Sequence, residues 1–356
     1  MTIRVAILPL LFAPLLAAQS VSELLDKAVE AAPGDHAGWI AVRDKLVAKG
    51  DAAVPALAAA SADDQWTESG WVRAMAAEAA RLRILHPETV AVIDNPPGIN
   101  PEVYREFRKP APGCVQELSH PGKEFVPLLL ERWHWTLDAR PFSKGEAGMA
   151  ERNALAHALL YVPGFHADTR ARFAMLAALK DKALPDAWRR DAAVSYGQTG
   201  GVDAIVELCA IIDDAAHPKA LRETCCYALG RVADDKAFDA MESRLANEVL
   251  AADEAFVRAL LLGVGTLGSR GGWQARGAMV KEQGERIREK CARLLVMHLE
   301  SHPALAEHIS QQLQSVAYDE SLAWVKQLAK EGKTEQAREA AKGMIDTLAL
   351  AISRYK

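Results

Sequence analysis

Residues 188–197, WRRDAAVSYG, can be laid over residues 221–230, LRETCCYALG. The two stretches end on Gly197 and Gly230, 33 residues apart. At that offset Arg189 meets Arg222, Ala192 meets Cys225, Ala193 meets Cys226 and Tyr196 meets Leu229. The agreement runs on downstream, where Ala204-Ile205 meets Ala237-Phe238 and Leu208 meets Met241. A third copy follows at an offset of 35, with Phe256 on Leu221, Leu260-Leu261 on Cys225-Cys226, Val264 on Leu229 and Gly265 on Gly230. Self-similarity at such a period is the mark of a repeat architecture.

Each copy has one logic. A first helix carries apolar residues three and four positions apart, and a glycine is expected to end or loosen it. Asp203 or Asp234-Asp235 follows, where a carboxylate caps the next helix or suits its dipole. A second helix then presents another apolar stripe. One such hairpin cannot bury its own apolar face, so the unit is stable only in a stack.

The pattern Arg-x-x-Ala-x-x-x-x-Gly, a short turn with Asp, then an Ala/Val/Ile-rich helix, resembles the HEAT repeat. It is most similar to the short, armadillo-like variety named after phycobilin lyases, and the match covers about 186–268. The resemblance implies an all-α fold, a right-handed α-solenoid of stacked antiparallel helix pairs. Fainter copies extend it. Val54-Pro55-Ala56-Leu57 and Val126-Pro127-Leu128-Leu129 share a V-P-x-L opening suited to a helix's first turn. Residues 70–85 and 148–161 read as first helices, the latter broken at Pro163-Gly164 before a second helix near 168–180. The solenoid is expected over 21–300. Helices at 284–300, 303–316, 319–331 and 333–354 close the chain, those from 301 on as a capping bundle, with Ala337, Ala341, Leu348 and Ile352 on one face.

Between Asn95 and Gly122 lie six prolines and three glycines, which a packed helix does not hold. This is read as a long insertion in one repeat, with one turn of helix at 101–108. Loops of that length are usually functional or mobile.

The first twenty residues read as a cleaved signal peptide: Arg4, an apolar run from Val5 to Leu16, then small residues around Ala17-Ala18-Gln19-Ser20. The protein is therefore expected in the periplasm or outside the cell, with no membrane span in the mature chain. Cleavage removes one basic and no acidic residue, moving the formal charge from −5 to −6. That balance disfavours nucleic acid as a partner. Charge is uneven: residues 201–256 carry 12 acidic and 5 basic side chains, and 270–293 carry 7 basic and 3 acidic, which suits steering of a charged partner.

Five cysteines leave at least one unpaired in a monomer, and their spacing fits no zinc, redox or haem signature. They read as core residues, with a bridge from Cys209 to Cys225 or Cys226 as the lesser alternative. His86, His120, His217 and His302 each precede a proline and read as punctuation between helices. His298 and His302 have metal-ligand spacing, but Pro303 makes His302 a boundary residue. No metal and no cofactor is expected. The letters Gly263-x-Gly265-x-x-Gly268 lack a preceding strand and belong to the repeat.

Arg132-Trp133-His134-Trp135 is the binding candidate. It falls on the second helix after the insertion, and second helices line the concave side in HEAT-like stacks. Two exposed indoles there would grip a peptide or stack on a sugar; the plainer alternative is that one Trp is core and the other covers the insertion loop. Trp39, Trp71 and Trp188, each near the start of a first helix, read as packing residues. With no catalytic motif found, the expected function is an exported protein-binding scaffold with its partner on the concave face. The alternatives are an envelope carbohydrate-binding or structural protein, and an enzyme with its site near the insertion. Bilin attachment, a cytoplasmic activity of the namesake lyases, does not suit an exported chain.

Overall fold

The computed structural model describes residues 19–62, 65–96, 118–269 and 281–354. These residues form eighteen α-helices and, among the described residues, no strand. Residues 1–18 of the expected leader, residues 97–117 of the expected insertion with its turn at 101–108 and Cys114, and residues 270–280 of the basic stretch lie outside them.

The chain opens with α1 (Val21–Glu30), α2 (His36–Val47), α3 (Val54–Ala60), α4 (Glu68–Leu85) and α5 (Pro87–Asp94). Ser20 and Glu23 form a capping box at the start of α1, each side chain bonding the other's backbone N–H. Helix α4 is the hub of this part, because α1, α2 and α3 all pack on it. Its alanines explain why: Ala74, Ala76, Ala77, Ala79 and Ala80 are all buried, and small side chains let helices close in from several directions. Pro55 stands in the first turn of α3. Pro127 does the same in α6 (Val126–Glu131), and each helix follows a 3-10 turn.

The repeat proper then runs through α7 (Gly145–Phe165), α8 (Arg172–Lys180), α9 (Asp186–Thr199), α10 (Asp203–Asp213), α11 (Lys219–Leu229), α12 (Asp235–Leu245), the single turn α13 (Glu248–Ala251) and α14 (Glu254–Gly268). The first helices α7, α9, α11 and α14 each lie against the next. The second helices α8, α10 and α12 pack on the first helix that follows them. The chain closes with α15 (Lys281–Ser301), α16 (Ala306–Val316), α17 (Ser321–Glu331) and α18 (Glu335–Arg354). Helix α14 hands the stack on to α15 and α16, and α18 packs against α15, α16 and α17. Ala337, Ala341, Leu348 and Ile352 are buried on its inner face, joined by Met344.

Three expectations need correction. The glycines do not serve as left-handed helix ends. Gly197 and Gly263 lie inside α9 and α14, and Gly230 closes α11 in right-handed geometry. Their role is clearance between neighbouring first helices. A Cβ on Gly197 would stand 2.3 Å from the Ala228 carbonyl oxygen, and one on Gly230 2.0 Å from that of Gly263. The left-handed residue after α9 is Gly201, at φ +60. Second, Asp203 does not cap α10 but lies in its first turn, where its charge suits the dipole as expected, whereas Asp234 caps α12 by accepting from the Lys236 N–H at 2.8 Å. Third, α7 runs straight through Pro163 to Phe165. A proline this close to a helix end removes one hydrogen bond, that to the Leu159 carbonyl. The next carbonyl along, Leu160, accepts from the Ser195 hydroxyl of α9.

The aligned arginines have a shared task. Arg189 Nε donates to the Leu179 carbonyl at 3.1 Å, and Arg222 Nε to that of Ile212 at 2.8 Å. Both carbonyls lie in the last turn of the preceding second helix, which leaves its final C=O groups without helical partners. A cation there also meets the negative end of the helix dipole. Arg288 repeats the device, donating to the Val316 and Ala317 carbonyls at 2.8 Å.

Cys225, Cys226 and Cys291 are buried and Cys209 half-buried, all as free thiols, so the Cys209 bridge is not formed. Burial pushes the Cys226 thiol up to about 12, which keeps it protonated and unreactive. Trp39, Trp71 and Trp188 are core residues, as their recurrence suggests. Pro87 opens α5 directly after His86, and His302 stands outside α15 with its ring stacked on His298 at 5.5 Å. No helix among the described residues is long and apolar enough to cross a membrane.

Candidate functional site

Helix α6 does not stop at Glu131. It widens into a π turn over Arg132–Thr136 and tightens into a 3-10 turn over Leu137–Ala139. π turns are rare and recur at functional sites, where they redirect side chains. Here one sends four consecutive candidates into different surroundings.

Trp135 is fully buried, which removes the two-indole platform and agrees with the alternative that one of the pair is core. Its indole stacks on Trp39 with ring centres 4.0 Å apart and planes within 10°. The Trp39 Nε1–H donates to Glu131 Oε1 at 2.8 Å. Glu131, a carboxylate with no exposed surface, accepts through Oε2 from Arg83 Nε at 3.0 Å. Arg83 in turn holds Asp94 with both terminal nitrogens, at 2.8 and 3.0 Å. Burial works against the charge on Arg83, but Glu131 and Asp94 outweigh it and hold its pKa above the ordinary value. For Asp94 burial is again opposed and outweighed, chiefly by the Arg83 hydrogen bond, so its carboxyl stays below the usual range. The network ties α2, α4, α5 and α6 together.

Arg132 is buried too, with Nη1 3.8 Å from Asp94 Oδ1. Desolvation lowers its pKa; Asp94 opposes this, and Arg140 and Arg83 add to it by repulsion. His134 is fixed by its main chain, whose carbonyl accepts from the Gly34 N–H at 2.7 Å. Its ring meets Trp71 and Trp135 edge-on at 5.4 and 4.4 Å. Burial drops its pKa to about 4, so the imidazole is neutral at pH 7.

Trp133, His134 and Trp135 all line one ligand-sized space, and of the two indoles only Trp133 keeps exposed surface. It is half-buried and meets Trp188 edge-to-face at 5.7 Å. The two indoles wall a groove of about 380 Å³ whose floor is methyl groups, including those of Ala174 and Ala177. At one side Arg152 lies 4.5 Å over the Trp188 ring and binds Asp138 through two nitrogens, at 2.5 and 3.0 Å. At the other, the exposed Asp181 turns one oxygen to the Ala183 N–H at 2.8 Å. Flat π faces, a smooth apolar floor and carboxylates at the edge suit an apolar side chain flanked by a cation. A sugar-stacking surface built on both Trp133 and Trp135 is not available.

Sequence reading thus found Trp133 but missed Trp188, Arg152, Asp138 and Asp181. Trp188 carried the only usable signal, and its recurrence with Trp39 and Trp71 spoke for packing. Its buried ring does pack, with Nε1 donating to Asn153 Oδ1 at 3.2 Å, while it also lines the groove. Among the described residues no group of three or more His, Cys, Asp or Glu is placed to hold a metal ion. Compared with protein-family models and with curated proteins, the sequence matches neither.

Proposed function

We propose that this chain is an exported HEAT-like repeat protein, wound as a right-handed α-solenoid, that holds a protein partner in the groove between Trp133 and Trp188. Export rests on the first twenty residues, and the HEAT assignment on the repeat over 186–268 with its consecutive helix pairs. The observation that carries the binding role is the groove itself, preformed by two indoles on different helices and large enough for one or two side chains. Its partner is an extended segment that lays an aromatic or long aliphatic residue against Trp133 in the groove and a Lys or Arg beside Asp181. Trp is enriched at binding hot spots because it presents a large rigid face at little entropic cost.

A photo-crosslinking residue at Ala177, exposed at the groove floor, tests this in cells expressing the full chain. The expected result is one discrete protein adduct in the exported fraction, lost when Trp133→Ala is added. An adduct pattern that Trp133→Ala leaves unchanged, or none at all, overturns the proposal.

A further inference from the structure

We infer that His134 gives the groove its selectivity, and that the residue laid against Trp133 is aromatic with a hydrogen-bonding tip, a phenol or an indole. This rests on the groove reading above and narrows it, because apolar walls alone accept a leucine or a phenylalanine as readily.

The imidazole lines the groove beside Trp133, in a space of about 380 Å³ that admits either ring. Its plane is set by edge-on contacts with Trp71 and Trp135, at 5.4 and 4.4 Å. Its main chain is set by the Gly34 N–H on its carbonyl. The ring nitrogens take no part in this holding. Neither has a hydrogen-bond partner among the described residues, and neither is sealed from solvent, unlike the orphaned Nε2 of His166. Neutral at pH 7, the ring presents one N–H donor and one acceptor nitrogen.

Neighbouring polar groups are committed. Arg152 and Asp138 bind each other through two nitrogens and two oxygens, and the Trp188 N–H is given to Asn153. Asp181 stands exposed at the rim, with one oxygen on the Ala183 N–H. A phenyl or aliphatic group packed into the groove would strip water from the His134 nitrogens and return nothing. A phenol O–H or indole N–H replaces the lost bond, and a site that bonds a donor rejects the analogue lacking it.

The test is titration of the full chain with p-cresol, 3-methylindole and toluene, the side-chain analogues of Tyr, Trp and Phe. At least one polar-tipped probe is expected to bind about fivefold more tightly than toluene. Preference for p-cresol marks a tyrosine in the partner, and preference for 3-methylindole a tryptophan. Trp133→Ala is expected to weaken all three. His134→Phe is expected to abolish the preference while keeping toluene within about twofold. Should His134→Phe fail to fold, the NMR shifts of the His134 ring nitrogens decide in the unaltered chain. They are expected to move with the preferred probe and stay with toluene; equal movement overturns the inference. So do equal affinities, a preference that survives His134→Phe, probe binding that Trp133→Ala leaves unchanged, or no saturable binding. A Trp133-dependent adduct at Ala177 beside equal probe affinities would overturn this inference alone and leave the groove's binding role standing.

Discussion

At the residue scale, glycine and histidine carry the clearest consequences. Gly197 marks a contact where one helix backbone approaches another too closely for a methyl group. Gly197→Ala is expected to destabilise the protein by about 2 kcal/mol, read as a fall in the urea midpoint at unchanged slope. Gly343 provides the contrast: it lies in α18 with nothing within 4 Å of its would-be Cβ. Gly343→Ala is expected to stabilise by about 0.5–1 kcal/mol, since alanine is the better helix former. Effects of the same sign would refute the clearance role. The aligned glycines were visible in the sequence, but their purpose was not, because spacing along a chain says nothing about distance across it. His134 sets a pH dependence. Its folded pKa, about 4, lies below the 6.5 of an exposed histidine, so the unfolded chain binds the proton more readily. Its contribution is level above pH 6.5, and stability falls as pH drops from there to 4. The loss is about 2 kcal/mol at pH 5 and about 3 kcal/mol at pH 4. His134→Phe, measured by chemical denaturation across that range, is expected to flatten this component of the profile.

At the element scale, the Arg189 and Arg222 clamps make α8 and α10 each depend on the first helix after it. Arg222→Met leaves the Ile212 carbonyl without its donor and is expected to cost about 1–2 kcal/mol. The accompanying sign is faster amide exchange in the last turn of α10 with little change in α14. Uniform loss of protection would instead mark general destabilisation. Much at this scale was legible. The V-P-x-L openings, the helix expected over 70–85 and found at Glu68–Leu85, and all four closing helices follow from local periodicity and capping, which act within a few residues. The π turn was not, since nothing in Arg132-Trp133-His134-Trp135 itself prefers a wider backbone to an α-helical one. It forms among long-range partners: Gly34 on its main chain, Trp39 on its indole, Trp188 across the groove. For the same reason sequence reading gathered four candidates at one surface, whereas the fold buries Arg132 and Trp135 and leaves Trp133 and His134 half-buried at the groove.

At the scale of the whole molecule, the repeat region and the N-terminal part are held in different ways. Along α7, α9, α11 and α14 each first helix leans on its neighbours, so cohesion there is local and additive. The N-terminal helices instead converge on a buried carboxylate. Glu131→Gln leaves Arg83 short of counter-charge and is expected to cost about 3 kcal/mol. Exchange protection should fall first in α1 to α6 while α9 to α14 keep theirs; simultaneous loss throughout would show a single cooperative unit. Glu131 also imposes an order in time. Synthesis runs from the N-terminus, so Trp39 and Arg83 leave the ribosome well before the acceptor they share. Until residue 131 emerges, the Trp39 indole N–H lacks its acceptor and Arg83 has only Asp94, so the opening helices pair without the carboxylate that joins them. A nascent chain wired in this manner stays pliable through its first third, open to chaperones and easily threaded, and it sets only when the late carboxylate arrives.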